Sequence, residues 1–198
     1  MPHLIDTLVG LARLSLQDPR KGARALLDMD VPLPARSAGL FLMAVASAIL
    51  MHLGAMLLPP TDDAVANFVT GSPIRSAIMQ FVVLAVSVVL IHRIGRFQGG
   101  TGTFDDSMLI VVWLQVLMLM LQVVQLVALA VSPPLAGIIN LAGLVLFFWL
   151  ITSFIAELHG FTSRRAVFVG IVITMFAVAF VLVFVMILIL GPEALSNV

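Results

Sequence analysis

Residues 103–160 read TFDDSMLIVVWLQVLMLMLQVVQLVALAVSPPLAGIINLAGLVLFFWLITSFIAELHG. No Asp, Glu, Lys or Arg stands between Asp106 and Glu157, and the apolar text is broken once, at Ser132-Pro133-Pro134. It therefore falls into two runs, 107–131 and 135–158. Each supplies the roughly twenty residues needed to cross a hydrocarbon slab about 30 Å thick at about 1.5 Å per residue. A proline break this tight makes the pair a helical hairpin.

Three further runs of the same kind lie at 38–58, 74–94 and 166–190. Pro59-Pro60 closes the first, Pro73 opens the second, Gln98-Gly-Gly-Thr-Gly102 separates the second from the third, Gly160-Phe-Thr-Ser163 precedes the last and Gly191-Pro192 stops it. The fold class is thus all-α, a polytopic membrane protein with five transmembrane helices. Composition demands the same solvent. The 198-residue chain is 62% hydrophobic and 10% charged, with mean hydropathy +1.20, against about 25% charged residues in soluble domains. Too few polar residues remain to cover such a chain in water, whereas lipid solvates the outward helix faces.

Helix starts are written locally. Thr103-Phe-Asp-Asp106 has capping-box spacing, with its carboxylates at the positive end of the third span. Thr162 and Ser163 can cap the fifth, and Thr61-Asp-Asp63 can start a short surface helix running to about Val69. Residues 1–34 differ from the rest. Leu4, Leu8, Leu11 and Leu14 recur at helical spacing, with Asp6, Arg13 and Gln17 on other faces. Asp18-Pro19 then pairs a good N-cap with a proline at the first helical position. Arg20, Lys21 and Arg24 follow, against Ala23, Leu26 and Leu27. The expectation is an amphipathic N-terminal segment lying in the interface, its cations near lipid headgroups. Packing of those helices on the protein's own cytoplasmic loops is the competing reading. Val31-Pro-Leu-Pro34 is the stiff linker into a transmembrane domain at 35–192, and 193–198 form a short tail. The first apolar stretch is interrupted by Asp6 and Arg13 with no early basic region, so it does not read as a cleaved leader.

Charge placement sets an expected topology. Arg13, Arg20, Lys21, Arg24 and Arg36 precede the first span, Arg93 and Arg96 lie between the second and third, and Arg164 and Arg165 between the fourth and fifth. Only Arg75 falls on the other side. With five spans, a cytoplasmic N-terminus and a C-terminus across a cell (inner) membrane put nine of the ten basic residues on the cytoplasmic side, as the positive-inside rule expects. The headgroup-contact candidates are Arg20, Lys21, Arg24, Arg93, Arg96, Arg164 and Arg165. Ten basic against ten acidic residues point to no nucleic-acid partner.

Sites for chemistry are scarce. The chain has no cysteine, which excludes disulfides, thiolate metal sites and thiol nucleophiles. Gly99-Gly-Thr-Gly102 lacks the lysine of a phosphate loop and leads into a membrane helix, so it reads as an interhelical turn. Asp105 and Asp106 are adjacent and point in different directions. His3, His52, His92 and His159 are spread along the chain. His92 and His159 can approach each other and Glu157 at one membrane face, a weak basis for a metal site. No catalytic residue, cofactor or metal is assigned. Polar side chains within spans carry more meaning, because they are costly in lipid. Gln115, Gln122 and Gln125 fall on one side of the third span, where Gln80 of the second and Asn140 of the fourth can meet them. They serve either as interhelical hydrogen bonds or as the lining of a substrate path.

Three features resemble one family, the YIP domain family of Ypt/Rab-interacting membrane proteins. They are the glycine-rich link Arg96-Phe-Gln-Gly-Gly-Thr-Gly-Thr-Phe104, the run from Trp149 through Glu157-Leu-His-Gly-Phe-Thr-Ser-Arg-Arg-Ala166, and an amphipathic start with Asp18-Pro19 before five spans. The resemblance covers almost the whole chain. Eukaryotic members are tied to vesicle trafficking through Rab GTPases and carry DLYGP-like and GY motifs. This chain has neither, and no tyrosine, so Rab binding is not carried over. What the resemblance implies is a small prokaryotic member with no catalytic residues to transfer. The expected function is non-enzymatic, through contacts with the lipid bilayer, other membrane proteins or further copies of itself. The alternative is a small permease or channel component using the polar stripe of the third span.

Overall fold

A computed structural model describes residues 2–58 and 64–190. The expected breaks at Pro59-Pro60 and Gly191-Pro192, the start of the short helix at Thr61–Asp63 and the tail 193–198 lie outside the described residues, as does the side chain of His3. The described chain is helical: α1 Pro2–Gln17, α2 Pro19–Leu27, α3 Leu33–Ala55, α4 Ala64–Thr70, α5 Pro73–Phe97, α6 Phe104–Val131, α7 Pro133–His159 and α8 Arg164–Leu190. Five of these are long and apolar enough to cross a membrane: α3, α5, α6, α7 and residues Arg164–Val185 of α8. They match the five apolar runs. The main difference is at the first, which starts at Leu33 rather than 38, because Pro34 falls in the opening turn, where a missing N–H costs nothing.

Two compact units are present, residues Met1–Phe161 and Thr162–Val198. In the second, α8 is a single apolar helix whose start is held by Ser163: its Oγ accepts from the Ala166 N–H at 3.3 Å. In the first, α6 is the central element, packed by α3, α5, α7 and α2. Its sides serve two apolar cores. Leu109, Ile110, Trp113, Leu114 and Leu117 join Leu11, Ala12, Ala23 and Leu26 of the N-terminal helices and Leu150, Phe154 and Leu158 of α7. Val111 joins Leu40 and Ala44 of α3 and Leu84 and Val88 of α5.

Burial is uneven along the bundle. Seven of the eight buried residues of α6 lie between Ser107 and Leu117, the eighth being Ala128. In α7, eight of ten lie between Leu150 and His159. The N-terminal half of α6 and the C-terminal half of α7 therefore form a dense end, and α2 packs there across both helices.

Candidate functional site

At the dense end the organising side chain is His159, the last residue of α7 and 2% exposed. Its Nδ1 accepts from the Gly102 N–H at 3.2 Å. The proton therefore sits on Nε2, which donates to the Ile91 carbonyl at 3.1 Å. The link between α5 and α6 is shaped around this ring. A Cβ on Gly95 would collide with the imidazole, one on Gly100 would stand 2.5 Å from Nδ1, and one on Gly102 would stand 2.7 Å from Leu158 Cγ. Gly99, at φ 87°, closes α5 in a Schellman turn: the Gly100 N–H bonds the Gly95 carbonyl at 2.8 Å, and the Gly99 N–H bonds the Arg96 carbonyl at 3.0 Å. Gly160 closes α7 in the same way, through Phe161 N–H to the Ala156 carbonyl at 2.8 Å, and the Phe161 ring stacks on His159. The stretch expected to be a simple turn is a cradle for an imidazole. Both ring nitrogens are committed to backbone groups, which leaves no lone pair for a metal.

The N-terminal helices lock onto the same end. Asp18 caps α2 by accepting from the Lys21 N–H at 3.3 Å, with Pro19 in the first turn. That backbone N–H, with the Lys21 ammonium 3.2 Å away, holds the carboxyl below its ordinary value. Pro19, Gly22, Ala23 and Leu26 form the buried side of α2. A Cβ on Gly22 would stand 2.6 Å from Ser15 Cα, so α1 and α2 nearly touch backbone to backbone. Ser15, fully buried, accepts from Trp113 Nε1–H at 2.9 Å. Arg20 donates to the Phe161 carbonyl at 2.6 Å, and Arg24 pairs with Glu157. A second tie joins the starts of two spans. Arg36 bridges the Val31 carbonyl at 2.8 Å and Asp106 at 2.9 Å, while Asp106 and Thr103 complete the expected capping pair.

Of the headgroup candidates, Arg20 and Arg24 thus make protein contacts, although Arg24 keeps 71% of its side chain exposed. Lys21, Arg93, Arg96, Arg164 and Arg165 are exposed. His92 sits edge-on to Phe104, and no cluster of three metal-ligating side chains occurs among the described residues.

The amides divide. Gln115 donates to Ser47 Oγ at 2.7 Å, and Ser47 donates to the Met43 carbonyl at 2.7 Å, so this amide ties α6 to α3. Gln122 and Gln125 instead line a cavity of about 450 Å³ together with Asn140. Leu50, Met51 and Leu58 from the α3 end, Leu126 and Leu129 of α6, and Ala136 and Gly137 of α7 complete its walls. Gln80, half-buried in α5, does not line it. Sequence reasoning missed Ser15, Gly22, Trp113 and the role of His159. An indole N–H inside a span was the available signal, because a buried one requires an acceptor.

A family model for the Yip1 domain matches residues 13–187. The chain belongs to the Yip1 domain family. The match takes in both the cradle around His159 and the amide-lined cavity, so the two ends belong to one Yip1 domain. No curated protein and no solved structure matches this Yip1 protein.

Proposed function

We propose that this Yip1 protein works without catalysis in a cell membrane, by contacts with lipid and with other membrane proteins, its N-terminus and basic rim on the cytoplasmic side. One observation carries the reading: four of the polar side chains within the bundle are spent on holding helices together, while α1 turns an apolar row outward. His159, Trp113, Gln115 and Asp106 all have structural partners. Ile5, Leu8, Val9 and Leu16 are exposed, and helical periodicity gathers them on one face next to Arg13, with Ala12 among them packed into the core.

The depth of α1 supports lipid as what covers that row. α6 has 28 residues, about 42 Å at 1.5 Å per residue, and so overhangs a centred slab about 30 Å thick by about 6 Å at each end. Trp113, nine residues in, is about 14 Å from the helix start, hence about 8 Å below the hydrocarbon boundary. Interfacial helices bury their apolar face to about 5–10 Å. Ser15, bonded to Trp113, gives α1 that depth.

The absence of cysteine makes the test clean. Single variants Val9→Cys, Leu16→Cys, Asp6→Cys and Gln17→Cys, in native membranes, are offered a membrane-impermeant maleimide. Positions 9 and 16 are expected to be protected and positions 6 and 17 labelled; equal labelling would sink the lipid contact. Crosslinking in the same membranes should yield a reproducible protein partner, and a chain that is always solitary would remove that half of the proposal. A small permease is the second reading, supported by the three amides on the cavity; its test is solute flux in proteoliposomes that stops in Gln122→Leu.

A further inference from the structure

The cavity formed by α3, α6 and α7 lies at the end of the bundle opposite the N-terminal helices. Its walls come from the last turns of α3 and α6 and the first turns of α7. All but four of its lining residues are apolar or glycine; the exceptions are Thr70, Gln122, Gln125 and Asn140, and none carries a charge. At about 450 Å³ it falls in the range of about 300–1,000 Å³ that small-molecule sites occupy. The three amides make no hydrogen bond to any described side chain or backbone group, in contrast to Gln115, which is paired. An unsatisfied amide facing hydrocarbon costs several kcal/mol, so the three amides favour an occupant with hydrogen-bonding groups.

Their depth narrows the chemistry. Gln125 and Gln122 are six and nine residues from the end of α6, about 9 and 14 Å, which puts them about 3 and 8 Å below the hydrocarbon boundary. Asn140, seven residues into the 27-residue α7, is about 5 Å below it. Lipid ester carbonyls lie at that boundary and are the polar lipid groups nearest to the three amides, whose side chains extend beyond their backbones. Amide N–H groups donate to such carbonyls, and the uncharged lining offers nothing for a phosphate. A second groove of about 420 Å³ lies between α3 and α6, lined by Met43, Ala46, Ile49, Val116, Met120 and neighbours, with no polar side chain. It is an internal control: similar in size, apolar throughout, and unable to hold a carbonyl.

We infer that the cavity lined by Gln122, Gln125 and Asn140 is a binding site for the glycerol–ester region of a single diacyl lipid, whose acyl chain lies along Leu50, Leu126 and Leu129. The site needs only the membrane embedding of the domain, not the partner contacts proposed above. Its test uses the intact chain in vesicles of phosphatidylethanolamine and phosphatidylglycerol, doped with a phosphatidylcholine that carries a diazirine on the acyl carbons nearest the glycerol. Two versions are compared, one ester-linked and one ether-linked, which lacks the carbonyls.

After photolysis, peptide mapping should place the ester probe on the cavity walls around Met51, Leu126 and Gly137. Labelling there should exceed that of the ether probe at least threefold, while the α3–α6 groove labels equally with both. The triple variant Gln122→Leu/Gln125→Leu/Asn140→Leu should abolish the ester preference, and Gln115→Leu should retain it. Equal labelling by the two probes in the unaltered protein overturns the site, and that comparison holds whether or not the triple variant folds. Solute flux that stops in the same variants would make the cavity a solute path and overturn it as well. Either failure leaves the labelling pattern of α1 unaffected.

Discussion

The two ends of the α3–α7 bundle are built on opposite rules. At one, His159, Trp113, Glu157 and Asp106 each meet a partner fixed by geometry, and glycines bring backbones to contact. At the other, Gln122, Gln125 and Asn140 line open space, and in α6 only Ala128 is buried beyond Leu117. What differs is that the three amides of the open end meet no described partner, whereas the four side chains named at the dense end do, although Thr152 and Ser153 are buried there without one. At an open end facing the membrane, lipid or another molecule can complete such groups.

The contrast is broken most directly at the cradle. Gly95→Val drives a branched side chain into the His159 ring, and the expected loss is about 3 kcal/mol, read as a lower midpoint of thermal unfolding in detergent. Adding His159→Ala to the same chain should recover part of that loss; no recovery would mean that Gly95 matters for some reason other than the imidazole. Next in size is Trp113→Phe, which takes the donor from fully buried Ser15 and should cost about 1–3 kcal/mol. Combined with Ser15→Ala, the two changes should be less than additive.

Smaller and local is the cap of α2. Asp18 has a lowered carboxyl pKa because it accepts the Lys21 N–H. Its contribution is therefore complete above the unfolded carboxylate pKa and is lost as pH falls through the depressed folded value. Protease cutting around residues 18–27 should rise on acidification in the unaltered chain, and Asp18→Ala should show that higher cutting at neutral pH without the acid dependence. Smallest of all is Gln125→Leu at the open end. With no internal partner to lose, it should shift unfolding by within about 0.5 kcal/mol in detergent. A large destabilisation there would erase the difference between the ends.

The local signals were legible in order. Apolar runs, proline breaks, the Asp18-Pro19 start and the Thr103–Asp106 cap all act within a few residues, and each appears where spacing puts it. The pairing of Arg36 with Asp106 spans 70 residues and that of Trp113 with Ser15 spans 98, distances over which periodicity carries no information. The amide stripe shows the same limit. Helical spacing brought Gln115, Gln122 and Gln125 to one side of α6, but which of them meets a serine on α3 depends on the closeness of the helices. Small residues set that closeness, Ser47 among them. Gly99-Gly-Thr-Gly102 looked like slack because glycine is usually read for its freedom. Here, at Gly100 and Gly102, it is used for its lack of a side chain.

The Arg20–Phe161 bond also imposes a schedule on biosynthesis. Its partners are 141 residues apart, and ribosomes add about 5–20 residues per second, so roughly 7–30 s pass between them. For most of that interval the apolar side of α2 exists without the complete α6–α7 hairpin to receive it. The nascent chain must park it on the membrane surface or in a chaperone, and a stalled or truncated product would expose it as a mark for quality control.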